Sequence, residues 1–88
     1  MDQLTKALGA KIRAQRKARG LSQDNLAYVC GLDRSYMGRI ERGEVNITIE
    51  KLYRLASALQ CEPASLLPTI HQESPSLPIG APLPMQSK

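Results

Sequence analysis

The 88-residue chain is long enough for one small domain, and because it contains neither Trp nor Phe, its core must be built mainly from aliphatic side chains. Its formal net charge of +4 favours an anionic partner such as nucleic acid, a membrane surface or an acidic protein. We expect neither a secretion signal nor a membrane span, because no segment approaches the roughly 18 consecutive apolar residues that a span requires.

The cysteines and the single histidine do not form a metal-binding pattern. Cys30 and Cys61 lie far apart, and His71 has no potential ligand at a suitable spacing. The favoured interpretation is two reduced, buried thiols in the cytoplasm, with a disulfide as the alternative. The sequence also lacks a Gly-rich phosphate loop and an acidic pair on a pocket-forming scaffold. We therefore expect no enzyme activity, no cofactor and no metal.

Five helices are predicted, and the first three are well marked. Apolar residues recur every fourth position along a first helix that ends near Arg19, before Gly20. Ser22 is placed to cap a second helix that ends at Gly31, and Asp33 is placed to cap a third that ends at Gly43. The predicted apolar faces of the first two helices are Leu4, Leu8 and Ile12, and Leu26, Ala27, Val29 and Cys30.

The fourth helix is predicted after Thr48, with Ile49, Leu52, Leu55, Ala56 and Leu59 on its apolar face. Pro63 lies in the first turn of a short fifth helix, EPASLL. Five of the six prolines follow from Pro68 onward, where they are incompatible with a helix or a central strand. The chain is therefore divided into a helical domain at 1–67 and a proline-rich, extended tail at 68–88.

Residues 23–42, QDNLAYVCGLDRSYMGRIER, have the spacing of a helix-turn-helix. Ala27 is small enough for two helices to cross closely, and Gly31 allows a positive φ at the turn. Met37 and Ile40 are expected to face inward. The outward face is expected to carry Arg34, Ser35, Gly38 and Arg39. An ordinary helical hairpin is the alternative, but it does not explain an outward face rich in arginine.

The stretch GLSQDNLAYVCGLDRSYMGRIERG, followed by ITIEKLYRLASAL, resembles the Cro/C1-type (Xre) helix-turn-helix family of transcriptional regulators. The resemblance covers about residues 4–67, and the run LDRSYMGRIERGEVNITI is especially similar to controller proteins of restriction-modification systems. It implies an all-α, five-helix, lambda-repressor-like DNA-binding domain whose third helix, about residues 34–42, enters the major groove of double-stranded DNA. It also implies a homodimer on a near-palindromic operator.

The outward face of the third helix supplies the expected base contacts. Arg34 is the best candidate, because arginine can pair with O6 and N7 of guanine, a contact worth about 1–3 kcal/mol of discrimination. Ser35 and Arg39 lie on the same face, and Tyr36 is expected to touch a thymine methyl group or a phosphate. Gly38 either allows close approach to DNA or is a neutral residue at an exposed site. The alternative interpretation is an ordinary solvated helix face, and it applies to Arg34, Ser35, Tyr36 and Arg39.

Contacts with the DNA backbone are expected from several elements. Gln23 begins the second helix, where its amide and the backbone N–H groups can meet a phosphate. The resemblance implies that the loop after the third helix follows the DNA backbone, although Asn46 could equally cap a turn. The predicted phosphate ligands are Gln23, Arg13, Arg42, Asn46 and Thr48.

Two further sets of residues have predicted structural roles. Arg16 lies one turn after Ile12, near the inward face of the first helix, and the resemblance implies a structural ion pair between Arg16 and Glu41. The predicted dimer interface comprises Ile47, Tyr53, Leu66, Leu67 and Ile70, although the leucines could equally belong to the core.

The alternative function is an antitoxin-like or bridging protein-interaction module of the same fold. In that case the apolar residues of the tail would hold a protein partner. Arg34, Ser35 and Arg39 favour the DNA-binding regulator, which is expected in the cytoplasm and on the nucleoid when bound to DNA.

Overall fold

The computed structural model describes residues 3–69, and every regular element in that range is helical. The elements are α1 (Gln3–Ala18), α2 (Gln23–Cys30), α3 (Arg34–Glu41), α4 (Ile49–Ala58) and a single 3-10 turn at Pro63–Leu66. The predicted all-α class is confirmed, with one correction: the fifth element is a 3-10 turn. The proline at 68 explains its shortness, because a residue before proline disfavours the α conformation, and Leu67 is extended at φ −82° and ψ 135°.

The helix starts and the central turn follow the predicted local chemistry. The side chains of Ser22, Asp33 and Thr48 each accept a hydrogen bond from a backbone N–H two or three residues ahead, at 3.0–3.3 Å. Gly31, between α2 and α3, has a φ of 69°, the left-handed conformation that glycine adopts most readily. These caps fix the direction in which α3 leaves the turn.

The core lies between α1, α2, α3 and α4, and the 3-10 turn closes one side of it. Three predicted apolar positions are wrong: Leu4, Val29 and Ile49 are exposed. Each lies within two residues of an end of its helix, where fewer neighbouring elements cover the side chains than in the middle. The core side chains are Ile12, Leu26, Ala27, Cys30, Met37, Ile40, Leu52, Leu55, Ala56, Leu59 and Leu66.

The contact between α1 and α3 is a close approach of backbones. A Cβ atom at Gly9 would lie 2.4 Å from the carbonyl oxygen of Ile40 and 2.6 Å from that of Glu41. The hydroxyl of Thr5 donates a 3.1 Å hydrogen bond to the carbonyl of Gly43, just after α3. The C-terminal end of α3 is therefore seated directly on α1, which leaves the opposite face of α3 outward.

Both cysteines carry free thiols; Cys30 is buried and Cys61 is partly buried. Burial raises the pKa of Cys30, and the nearby charge of Arg54 partly opposes that shift. Among residues 3–69 no group of three or more His, Cys, Asp or Glu side chains could hold a metal ion. None of the helices in the same range is long and apolar enough to cross a membrane.

Candidate nucleic-acid interface

Helix α3 has two chemically different faces. Met37 and Ile40 are almost completely buried, as the helical repeat predicts, whereas Arg34, Ser35 and Arg39 are exposed. The exposed residues share one side of a helix of eight residues. The structure therefore presents three polar side chains, two of them cationic, on a helix whose other side is fixed in the core.

Gly38 corrects one expectation about this face, because it is buried. A Cβ atom there would lie 3.1 Å from Nη1 of Arg42 and 3.7 Å from Oε1 of Gln23, so those two side chains cover it. Gly38 forms the floor of an open cleft of about 270 Å³ between α2 and α3. The cleft is lined by Gln23, Arg34, Ser35, Gly38 and Arg42.

A buried hydrogen-bond network holds α3 against α1 and α2. Nε and Nη2 of Arg16 donate to the two carboxylate oxygens of Glu41 at 2.6 and 3.0 Å, and Nη1 donates to the carbonyl of Leu21 at 2.9 Å. Gln23 completes the network by donating from Nε2 to Oε1 of Glu41 at 2.9 Å. The hydrogen bond with Glu41 raises the pKa of Arg16 above its ordinary value, so this guanidinium stays charged.

This network contains three residues with predicted roles, Arg16, Gln23 and Glu41. Arg16 and Glu41 form the ion pair that the sequence analysis expects between the first and third helices. Gln23, expected to contact phosphate, uses its amide nitrogen for Glu41 and lies at the rim of the cleft. Gln23 therefore links the buried network to the exposed face of α3.

The exposed arginines of α3 and the one that follows it, Arg34, Arg39 and Arg42, each lie near a carboxylate. Nε of Arg34 is 3.0 Å from Oδ1 of Asp24, on the first turn of α2. Arg42 donates twice to Glu44, at 2.8 and 3.3 Å, and Arg39 lies 4.0 Å from the same carboxylate. The hydrogen bond from Arg42 is the main cause of a lowered pKa at Glu44. In the free protein, this positive face is therefore partly neutralised by its own acidic residues.

Tyr36, expected to contact a base or a phosphate, is partly buried against the core. The ammonium group of Lys51, on α4, lies 5.7 Å from the centroid of its ring. A cation at this distance from a tyrosine ring makes a weakly favourable cation–π contact. Lys51 thus restrains the ring of Tyr36 from the side of α4.

The three other predicted phosphate ligands are not part of the cleft. Thr48 is exposed and caps α4, and Arg13 is exposed on α1. Asn46 lies on a second, largely apolar groove of about 210 Å³, beside the N-terminal half of α1. Its lining residues are Leu4, Thr5, Leu8, Asn46, Ile47, Leu67 and Pro68.

The predicted interface residues do not form a single exposed patch. Leu66 is completely buried in the core, so the structure corrects its assignment to an interface. Ile47 is partly buried and lines the apolar groove together with Leu67, which is about half exposed at 49%. Tyr53 is exposed on α4, and Ile70 lies outside the described residues.

The acidic residues of this surface were not predicted from the sequence. Neither Asp24 nor Glu44 was predicted as a site residue. Asp24 and Arg34 are ten positions apart on different helices, so no helical spacing pairs them. One indication of this contact was present in the sequence. The turn between α2 and α3 is short, so the start of α3 must lie near α2.

Comparison with known proteins agrees with this geometry. Residues 12–66 match a family model described as helix-turn-helix. The control protein C.SmaI of Serratia marcescens is 42% identical over 60 residues, which are 68% of this chain and 71% of that protein. The control protein C.BamHI of Bacillus amyloliquefaciens is 37% identical over 60 residues, which are 67% and 74% of the two chains.

A solved structure extends the comparison to the fold. The restriction-modification controller protein C.AhdI from Aeromonas hydrophila has a TM-score of 0.70 and 44% identity, covering 72% of this chain and 96% of that one. The family match at residues 12–66 contains the last part of α1, all of α2, α3 and α4, and the residues that line the cleft between α2 and α3. The chain therefore belongs to the helix-turn-helix family of DNA-binding transcriptional regulators.

Proposed function

We propose that this protein regulates transcription by inserting α3 into the major groove of a specific operator, as a homodimer. The observation that carries the proposal is the fixed, outward position of Arg34, Ser35 and Arg39 on α3. Recognition helices of helix-turn-helix proteins contact base edges mainly through their N-terminal residues. Arg34, the first residue of α3, is at that end and is the proposed reader of a guanine.

The other predicted DNA-contacting residues can be divided into proposed base contacts and proposed phosphate contacts. We propose that Ser35, Tyr36 and Arg39 contact bases, and that Gln23, Arg13, Arg42, Asn46 and Thr48 contact phosphates. Arg42 is the best supported phosphate ligand, because it is exposed at the end of α3 and lines the same cleft as Arg34. Phosphate contacts would fix the register of α3, and base contacts would select the sequence.

A homodimer follows from the small size of the reading helix. The eight residues of α3 span about 12 Å, which covers only a few base pairs. Two copies on half-sites about one helical turn apart would read enough sequence to define an operator. Apolar surface remains exposed at Tyr53 on α4 and at Leu67, which shares the apolar groove with Ile47, and this supports a second copy as a partner.

The named relatives favour a controller of restriction-modification genes. C.SmaI and C.BamHI are control proteins, and C.AhdI is a restriction-modification controller. We propose the same role for this chain, in the cytoplasm, with an operator upstream of its own gene. A protein partner held by the tail at 68–88 would be an addition to this role.

The test is a gel-shift titration of the purified chain on DNA from upstream of its own gene, with a random duplex of equal length as the control. The expected result is preferential binding to a near-palindromic segment, with two protomers per site by light scattering. A monomer that binds all duplexes equally would contradict the proposal. That result, together with tight binding of a toxin or other protein, would favour the interaction module instead.

A further inference from the structure

The ion pair between Asp24 and Arg34 joins two helices at the edge of the proposed reading surface. Oδ1 of Asp24 is 3.0 Å from Nε of Arg34, and the two side chains are 70% and 65% exposed. Exposed ion pairs contribute little to folding stability, because water solvates both charges well when they separate. The carboxylate of Asp24 favours the start of α2, but that effect requires no contact with Arg34, and the ion pair itself adds little to stability.

A carboxylate beside DNA also has an electrostatic cost. The phosphates carry a dense negative charge, so an acidic residue on the first turn of α2 should weaken binding to every duplex. If repulsion of phosphates were its only effect, Asp24 would simply weaken the binding of DNA to this surface. The contact with Arg34 distinguishes Asp24 from a carboxylate that only repels phosphates.

We propose that Asp24 is a positioning residue that fixes the guanidinium of Arg34 for guanine recognition. The inference rests on the proposed role of Arg34 in base reading. Nε is the atom of Arg34 closest to Asp24, so the contact does not require either terminal amino group, and these remain for O6 and N7 of guanine. Holding a long, flexible side chain before binding also reduces the conformational entropy lost in the complex.

The positioning role predicts two opposite effects when the charge of Asp24 is removed. Binding to a random duplex becomes tighter, because one repulsive charge near the phosphates is lost. Preference for the operator over the same site with its contacted guanine replaced falls by about 3- to 10-fold, a part of the discrimination that one arginine–guanine pair supplies. Simple repulsion predicts only the first effect.

Glu44 provides a matched control on the same surface. Its carboxylate pairs with Arg42 and lies 4.0 Å from Arg39, but it has no contact with Arg34. Removing this charge should also tighten binding to random DNA. Preference at the guanine read by Arg34 should remain that of the wild type, because Arg34 keeps its partner Asp24.

The experiment measures fluorescence-anisotropy binding of full-length D24N, D24E, E44Q and R34A to three duplexes: the operator, the guanine-substituted operator and a random sequence. D24N should lose preference at the guanine by about 3- to 10-fold while binding random DNA more tightly, and D24E should retain part of the preference. In the R34A background, D24N should change this preference no further. Ratios between duplexes are insensitive to the fraction of folded protein.

Two results would overturn the proposal. One is an equal increase in the affinity of D24N for all three duplexes, which would show that Asp24 only repels phosphates. The other is an unchanged preference at the guanine in D24N although R34A has lost it, since Arg34 would then read the base without help. If R34A itself leaves the preference intact, the proposed base-reading role of Arg34 fails first, and the positioning role of Asp24 fails with it.

Discussion

Two arginine–carboxylate pairs in this small protein have nearly the same contact distance and different surroundings. Arg16 and Glu41 meet at 2.6 Å with side chains that are 10% and 2% exposed, whereas Arg34 and Asp24 meet at 3.0 Å with side chains that are 65% and 70% exposed. Helix α3 contributes to both pairs, with Glu41 on its inner face and Arg34 at its outer edge.

The difference shows that the degree of burial determines what an arginine–carboxylate pair does in this protein. A buried charge that loses its partner is stranded away from water, so the pair must stay closed. An exposed pair adds little to stability, and the solvent around Arg34 leaves its terminal amino groups accessible to another molecule such as DNA. The inner pair therefore holds α3 in place, and the outer pair leaves Arg34 available for a ligand.

The largest expected effect comes from breaking the inner pair. Glu41→Ala leaves Arg16 without its carboxylate partner and removes the acceptor of Gln23. We expect the free energy of unfolding to fall by about 3 kcal/mol, measured by urea denaturation. In a domain of this size, such a loss could leave much of the protein unfolded at 37 °C.

Asp24→Ala is the matched control for that measurement, because it removes an acidic partner of the same kind from the outer pair. Its free energy of unfolding should fall by no more than about 1 kcal/mol, because the exposed pair and the position of Asp24 in the first turn of α2 each contribute little. Equal destabilisation by the two variants would contradict the distinction between the pairs.

The second prediction concerns the contact that keeps α1 against α3. Gly9→Ala would place a Cβ atom 2.4 Å from the carbonyl oxygen of Ile40, so the two backbones must separate. We expect a loss of about 1–3 kcal/mol in the free energy of unfolding. The direction is diagnostic, since an alanine replacing a glycine in a free helix would stabilise it by up to about 1 kcal/mol.

Gly38→Ala is the control for this substitution. Its new Cβ atom would meet only the ends of the Arg42 and Gln23 side chains, at 3.1 and 3.7 Å, and both ends can move. Its stability should therefore lie within about 1 kcal/mol of the wild type. Thermal melts in which Gly9→Ala is the more stable of the two would show that α1 and α3 do not approach closely.

The smallest effect is the titration of Glu44. Arg42 lowers the pKa of this carboxyl below its ordinary value of 4.5, mainly through a hydrogen bond. Because the folded-state pKa is the lower one, the contribution to stability is present above about pH 4.5 and is lost as the pH falls through the folded-state pKa. Carboxyl NMR shifts should show the pKa of Glu44 rising towards its ordinary value in Arg42→Ala; an unchanged titration would contradict the contact.

The local chemistry of the sequence predicted most of the fold. Ser22, Asp33 and Thr48 cap helices where expected, and Gly31 has the positive φ that the turn requires. These signals act over a few residues, so they can be read without knowledge of the tertiary structure. Gly9 was missed because its role depends on a carbonyl group in another helix, for which one sequence gives no signal.

The candidate site could be predicted only in part, for the same reason. Helical periodicity placed Arg34, Ser35 and Arg39 outward, as the structure has them. It also placed Gly38 outward, and this failed because side chains from α2 and the end of α3 fold over it. Periodicity describes one helix at a time, whereas the cleft and its ion pairs are formed between helices.

The most direct test of the account is the salt dependence of binding for wild type, Arg34→Ala and Arg42→Ala, on the operator and on a random duplex. Arg34→Ala should weaken operator binding by about 1–3 kcal/mol and relax the preference at one position. Arg42→Ala should weaken binding to both duplexes about equally and reduce the slope of log K against log salt by about one. If Arg34→Ala binds both duplexes as the wild type does, Arg34 on the outer face of α3 does not read DNA, and the account is wrong.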